Sequence, residues 1–192
     1  MTYEEKKFDQ LLGLAGFSDT LLKNHFTLYA GYVKNVNALA ETLQTAKPGT
    51  PEYAELKRRF GWEWNGMRLH ELYFGNMTKD DANKTTTRDS AFEKAFTASF
   101  GTFESWLADF KATGAMRGIG WVILAFDPEA KRLFNVWINE HDVGHLAGAV
   151  SLLVMDVFEH AYMTDYGIKK ADYIESFLKA IDWKVVEKRL GM

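Results

Sequence analysis

The sequence predicts an α+β fold in which an antiparallel hairpin of two long helices precedes a region that mixes strands and helices. In the first region, apolar residues recur every three or four positions, as they do along one face of a helix. Beyond a polar stretch from Lys79 to Thr87, short runs of β-branched and aromatic residues take over. We therefore divide the chain into an N-terminal helical hairpin, residues 1–86, and a C-terminal α/β domain, residues 87–192.

The first helix is predicted to begin at Asp19 and to end before Lys47. Ser18 is a favourable N-cap, and the Pro48-Gly49 pair opposes continuation of the helix. Residues at alternating spacings of three and four form one apolar face, which holds Leu22, His25, Tyr29, Tyr32, Val36, Leu39 and Leu43.

The second helix is predicted to begin at Pro51, because Thr50 followed by proline is typical of an N-cap and a first helical residue. Gly61 and Gly66 are expected to weaken or kink it. Its inward face is expected to hold Met67, His70, Tyr73, Phe74 and Met77. Since the connecting turn is short, the two helices should lie antiparallel with His25 and His70 both directed inward.

The second region is predicted to contain two early helices, a β-hairpin, a third strand and a helical C-terminal part. A capping box opens the first helix, and β-rich runs on either side of a turn predict the hairpin. In chain order, the segments are Ser90–Glu93, 103–110, 121–126, 133–138, 150–155 with Asp156 at its end, and Lys170 to Leu190.

The composition mainly excludes classes of protein. A formal charge of -3 and a pI near 6.0 make nucleic acid an unsuitable partner. Cysteine is absent, so disulfides and thiolate metal sites are excluded. The charged N-terminus is followed by no long apolar run, which argues against a signal peptide or a membrane span. A soluble cytoplasmic protein of 192 residues is the expectation.

Three histidines and an aspartate are the candidate metal ligands: His25, His70, Asp156 and His160. A histidine on an apolar helical face is, taken alone, more often a hydrogen-bonded core residue. Together, three neutral imidazoles and one carboxylate suit iron or manganese and leave a coordination position open. The set indicates a redox metal site rather than a structural one.

Several motifs resemble those of the iron/manganese superoxide dismutase family. Residues 156–162 are similar to the family's Asp-Val-Trp-Glu-His-Ala-Tyr, and residues 118–121, which end in Trp121, are similar to Gly-Ser-Gly-Trp. Ile181-Asp182-Trp183 matches near the C-terminus. The four candidate ligands follow in the family's chain order, and the resemblance extends from about Phe17 to Leu190.

This resemblance implies a fold, a cofactor and an activity. The expected fold has a three-stranded antiparallel sheet, with the metal between the helical hairpin and the α/β part. One iron or manganese ion per subunit would cycle between trivalent and divalent states, converting superoxide to dioxygen and hydrogen peroxide as an antioxidant activity. The alternative is a non-catalytic relative that keeps the fold and the metal.

Two departures from the family pattern concern residues near the metal. The family's glutamine beside the metal-bound solvent is missing, since Gly66 and the loop after the second predicted strand supply none. His141 in that loop is our candidate replacement, and His145 is the second choice. The gateway tyrosine normally follows the first histidine ligand by eight residues; here Tyr32 follows by seven and Tyr29 by four.

The resemblance also implies a homodimer, with tetramer formation left open. Glu159 would reach the metal-ligand histidine of the neighbouring subunit, with Tyr29 and Tyr162 near the interface. A solvated surface acid is the alternative for Glu159. Tyr32 is assigned the gateway position, and Phe158 replaces the usual tryptophan as an aromatic wall.

Overall fold

The structure is a computed structural model that describes residues 2–84 and 91–190. Over these residues, the chain forms seven α-helices, three strands and three short 3-10 helices. Their bounds are α1 Asp19–Thr45, α2 Pro51–Gly75, α3 Ala91–Phe100, α4 Phe103–Ala115, β1 Gly120–Asp127, β2 Arg132–Asn139, β3 Val150–Asp156, α5 Met163–Tyr166, α6 Lys170–Ala180 and α7 Trp183–Arg189.

Side-chain caps fix the starts of the two long helices. The Ser18 hydroxyl accepts a hydrogen bond from the Leu21 amide (3.0 Å), and the Thr50 hydroxyl accepts one from the Tyr53 amide (3.2 Å). The helices pack together as an antiparallel hairpin, and the rings of His25 and His70 lie 5.0 Å apart between centroids. The predicted helical hairpin is therefore confirmed.

The described strands form one antiparallel sheet in the order β2-β1-β3. Strand β1 is central and almost entirely buried, because α2, α4 and α7 cover the sheet together with α3. The register pairs Trp121 on β1 with Asp156 at the end of β3. The predicted hairpin, third strand and α+β class are confirmed.

The structure divides one predicted helical stretch into two helices, and it does not describe two of the predicted boundaries. The predicted helical stretch from Lys170 to Leu190 is two helices, since the chain turns at Ile181 and the Asp182 side chain caps α7 by accepting from the Val185 amide (3.1 Å). Ser90 of the predicted capping box and the division between residues 86 and 87 lie outside the described residues. None of the described helices has the length and apolar character that a membrane crossing requires.

Candidate metal centre

Four side chains that are distant in sequence converge between the helical hairpin and the end of β3. His25 lies on α1 and His70 on α2, while Asp156 ends β3 and His160 lies in the 3-10 turn that follows. One ligand atom of each lies within 4.8 Å of the other three. His25, His70 and Asp156 are buried, and the His160 side chain is 30% exposed. The structure thus brings together the four residues that the sequence singled out.

A single carboxylate oxygen faces all three imidazoles. Asp156 Oδ2 lies 3.2 Å from His25 Nε2, 3.2 Å from His160 Nε2 and 3.6 Å from His70 Nε2. Around one ion with metal–donor bonds of about 2.1 Å, donors at 90–120° to each other lie about 3.0–3.6 Å apart. The spacing of these atoms therefore fits ligands of a shared ion.

The protonation of His70 separates a metal site from a hydrogen-bonded cluster. Its Nδ1 donates to the Gly66 carbonyl oxygen (2.6 Å), so the neutral ring carries its proton there. His70 Nε2 consequently presents a lone pair toward the Asp156 oxygen, and it has no hydrogen-bond partner in the part of the chain that the structure describes. Two buried lone pairs that face each other repel unless a cation lies between them.

The electrostatics of the cluster suit neutral imidazoles around a carboxylate. Burial lowers the pKa of His25 and takes that of His70 well below its usual range. Burial alone would raise the pKa of Asp156, but the charge and hydrogen bonds of His160 and His25 outweigh it and leave that pKa lowered. His25 and His70 are therefore available as neutral nitrogen donors, and together with His160 and the Asp156 carboxylate they form a donor set suited to iron or manganese.

Further hydrogen bonds hold the aspartate in place. Its second oxygen, Oδ1, accepts from the Phe158 amide (2.8 Å), and its carbonyl accepts from the Tyr173 hydroxyl (2.6 Å). The Tyr173 hydroxyl also lies 3.1 Å from that of Tyr73. His25 is less constrained, because its Nδ1 has no hydrogen-bond partner among the described residues. Partners of this kind orient ligands and adjust their basicity.

His141 is fully buried beside the four-residue cluster, between Trp121 and Tyr32. The indole Nε1 of Trp121 donates to His141 Nδ1 (3.0 Å), and the Tyr32 hydroxyl lies 2.8 Å from His141 Nε2. Because an indole nitrogen only donates, Nδ1 must accept, and the neutral ring carries its proton on Nε2. Burial lowers the pKa of His141 to about 4, which keeps the ring neutral near pH 7.

The direction of the next hydrogen bond follows from this tautomer. His141 Nε2–H donates to the Tyr32 oxygen, which leaves the Tyr32 hydroxyl proton free for another acceptor. The Tyr32 ring also stacks on His70, with centroids 5.1 Å apart. Burial raises the pKa of Tyr32, so its hydroxyl stays protonated near neutral pH.

Tyr29 lies in a different environment from Tyr32. Its hydroxyl donates to Glu71 Oε1 (3.0 Å) and accepts from the Lys6 amide (3.0 Å), on the side of the hairpin where the N-terminal segment crosses. Burial raises its pKa to about 12. Of the two tyrosines considered for the gateway, Tyr32 is the one that contacts His141.

The remaining candidates occupy the edge of the centre. His145 Nε2 lies 2.9 Å from the His141 carbonyl oxygen, so this ring braces the loop. Phe158 stacks on both His141 and His160, at centroid distances of 4.9 and 5.1 Å. Glu159 is exposed, and Tyr162 is buried against Tyr173.

Trp62 is a contact that sequence reasoning missed. Its ring centroid lies 4.5 Å from that of His141 and 5.7 Å from that of Tyr32. A signal existed, because Trp62, Gly66 and His70 follow one another at intervals of four and so share a stripe on α2. Gly61 and Gly66 were expected to weaken or kink α2, yet the helix runs unbroken through both.

Comparisons with known proteins agree with this geometry. A family model described as iron/manganese superoxide dismutases, C-terminal domain, matches residues 88–189. A superoxide dismutase (Fe) of Cupriavidus metallidurans is 36% identical, over 100% of this chain and 98% of that relative. A superoxide dismutase (Fe) of Aquifex pyrophilus is 35% identical over 92% and 85%, and a superoxide dismutase (Mn) 2 of Haloferax volcanii is 32% identical over 83% and 79%.

These matches cover both regions of the fold and include relatives named for each of the two metals. The four-residue cluster, the helical hairpin and the three-stranded sheet supply the structural side of the same conclusion. The chain belongs to the iron/manganese superoxide dismutase family.

Proposed function

We propose that the chain is a superoxide dismutase that holds one iron or manganese ion per subunit through His25, His70, Asp156 and His160. The observation that carries the ligand assignment is the lone pair of His70 Nε2 facing Asp156 Oδ2 at 3.6 Å in a buried site. Relatives named for iron and for manganese support either metal.

When bound, the ion would supply a reversible one-electron change, accepting an electron from one superoxide and returning it to a second. The balance is two superoxide anions and two protons giving one dioxygen and one hydrogen peroxide, so protons must reach the site. Tyr32 is the gateway residue in this proposal. Its free hydroxyl proton points away from His141, and the neutral His141 ring holds the hydroxyl in that orientation.

Metal content and activity together test the ligand assignment. Replacing Asp156 with alanine removes the only carboxylate of the four and should lower bound metal well below one ion per chain, with loss of superoxide turnover. Asp172→Ala, at an exposed acid on α6, is the control and should leave both unchanged. Full metal content in the Asp156 variant would contradict the assignment. Stoichiometric metal without turnover in the unmodified protein would favour the non-catalytic alternative.

The assignment of His141 is tested by the reduction potential. Because His141 donates its single N–H to Tyr32, it would act on the ion through the Tyr32 hydroxyl, and removing it should shift the potential. His141→Ala should keep the fold and most of the metal, shift the potential and lower activity, whereas His141→Gln should retain part of the activity. An unchanged potential in the alanine variant would leave His145 as the residue to examine.

We further propose that two chains form a homodimer through the segment around Glu159, next to the partly exposed His160 side chain. A second chain on this face would cover that ligand, and Glu159 would bond to the partner subunit's His160. Glu159→Ala should weaken the dimer and metal retention together, as measured by sedimentation and elemental analysis. A monomer at micromolar concentration would rule out the dimer. The cytoplasmic location stays a prediction.

A further inference from the structure

We propose that Glu140 and Trp62 are positioning residues that together hold the His141 ring in place between Trp121 and Tyr32, where the Trp121 indole keeps it in its Nε2–H form. This inference rests on the role proposed above for His141, but it concerns how this chain fixes that ring. Trp62 lies on α2 and Glu140 directly follows β2, so their contact joins the two regions of the fold next to the site.

The first observation is the backbone of Glu140. Its φ is 49°, in the left-handed region that residues other than glycine, asparagine and aspartate rarely adopt. Glycine would adopt this conformation without a steric penalty. A glutamate there indicates that its side chain contributes something that glycine would lose.

The side chain of Glu140 bonds to Trp62. The indole Nε1–H of Trp62 donates to Glu140 Oε2 at 2.9 Å, across 78 positions of sequence. On its other side, Trp62 is covered by Arg59, whose guanidinium lies 4.2 Å from the ring. Arg59 is itself fixed by a salt bridge to the buried Glu63 (2.6 Å). The indole is therefore held from two directions.

The Trp62 indole lies directly against the His141 ring. Trp62 meets the His141 ring edge-on at 4.5 Å, while Phe158 stacks on that ring at 4.9 Å. Trp62 and Tyr32 also line an open cavity of about 200 Å³ at the surface of the hairpin. Trp62 thus fills the space between this cavity and the buried His141 ring. Without it, water would reach the hydrogen bond between Tyr32 and His141 and compete for it.

Ring-nitrogen NMR of the zinc-loaded protein tests the inference without relying on redox activity. Zinc is redox-inert and suits histidine and aspartate donors. We expect a single Nε2–H form of His141 in the unmodified protein. Glu140→Gly and Trp62→Phe should both free the ring to move away from the Trp121 donor and so give averaged signals from the two tautomers. Glu140→Gln, which keeps an acceptor oxygen, should resemble the unmodified protein.

Two matched controls separate positioning from general loosening. Lys131 also has a left-handed φ, 55°, but lies in the turn between β1 and β2, so Lys131→Gly relieves backbone strain away from the site. Trp64, on the same helix, donates its indole proton to the Tyr3 hydroxyl (3.2 Å), so Trp64→Phe removes a comparable bond elsewhere. Both controls should leave the His141 signals unchanged.

The iron- or manganese-loaded enzyme supplies a second readout. In Glu140→Gly and Trp62→Phe, kcat/KM for superoxide should fall about three- to tenfold, below the roughly 10–100-fold effect of losing a direct partner of a metal ligand. Unchanged His141 signals in both variants, or equal changes in the controls, would overturn the inference. If His141→Ala leaves the reduction potential unchanged while these signals still respond, the proposed role of His141 fails and the positioning stands.

Discussion

At the scale of single residues, Gly66 leaves room for the ring of Tyr32, the proposed gateway residue. A Cβ at this position would lie 2.6 Å from Cδ1 and 2.7 Å from Cε1 of the buried Tyr32 ring. The Gly66 carbonyl oxygen also accepts a hydrogen bond from His70 Nδ1–H. Glycine at position 66 therefore makes room for the Tyr32 ring, while its backbone carbonyl fixes the orientation of the His70 ring.

Replacing Gly66 with alanine should destabilise the protein by about 1–3 kcal/mol, because the ring of Tyr32 must move within a packed core. Gly61→Ala is the matched control on the same helix, where the added Cβ has no described atom within 4 Å beyond its chain neighbours and the local helix backbone. That change should instead stabilise the helix by about 0.5–1 kcal/mol. Urea unfolding measures both, and effects of the same sign would contradict this account.

At the scale of elements, Asn76 connects the end of α2 to the sheet and to the C-terminal helix. It is fully buried, and its Oδ1 accepts from the Val154 amide (2.9 Å) and from Arg189 Nη1 (3.1 Å). Its carbonyl accepts from the Asp182 amide (2.9 Å). Since His70 lies on α2 and Asp156 on β3, these bonds set the distance between two of the proposed ligands.

Asn76→Ala should cost about 2–4 kcal/mol, because it leaves the buried Val154 amide without an acceptor and opens space in the core. Metal affinity should fall with it, since the spacing of His70 and Asp156 loosens. Asn83→Ala is the control, because this side chain makes one 3.2 Å bond to Asp182 at a less buried position. Unfolding curves and metal titrations that fail to distinguish the two variants would show that Asn76 does not act in this way.

At the scale of the whole molecule, the metal site is expected to make the metal-free protein sensitive to mild acid. Burial lowers the pKa of His25 and His70 and brings that of His141 to about 4. The folded chain therefore takes up protons on these rings less readily than the unfolded chain, which protonates them below a pKa of about 6.5. Because the unfolded state binds more protons, the free energy of unfolding falls as the pH falls.

The loss should approach about 1.4 kcal/mol per pH unit for His70 and for His141 between about pH 6.5 and pH 5, and His25 should add to it in the same direction. Asp156 adds little in this window, since its lowered pKa in the folded protein and an ordinary carboxyl pKa in the unfolded chain both leave it ionised. Urea unfolding in the presence of a chelator measures the slope. His141→Gln should reduce this slope by the contribution of one proton, about 1.4 kcal/mol per pH unit. A free energy of unfolding that stays constant between about pH 6.5 and pH 5 would contradict the prediction.

Much of the fold followed from sequence because its signals are local. Ser18 and Thr50 cap helices through bonds within three residues, and the β-rich runs around the Asp127–Arg132 turn need only their neighbours to pair. The residue types of the four proposed ligands, their order and the motif around Asp156 were also readable directly. These features indicate the family without any knowledge of the distances between the side chains.

Only the tertiary structure decided which side chains meet around those ligands. Helical periodicity placed Tyr29 and Tyr32 on one face, but the neighbouring chain determines that one bonds Glu71 and the other His141. In the same way, no local rule distinguishes His141 from His145 in an irregular loop, or pairs Trp62 with Glu140 across 78 positions. A sequence pattern gives the direction of a side chain relative to its own element, whereas the atom it meets depends on how separate elements pack.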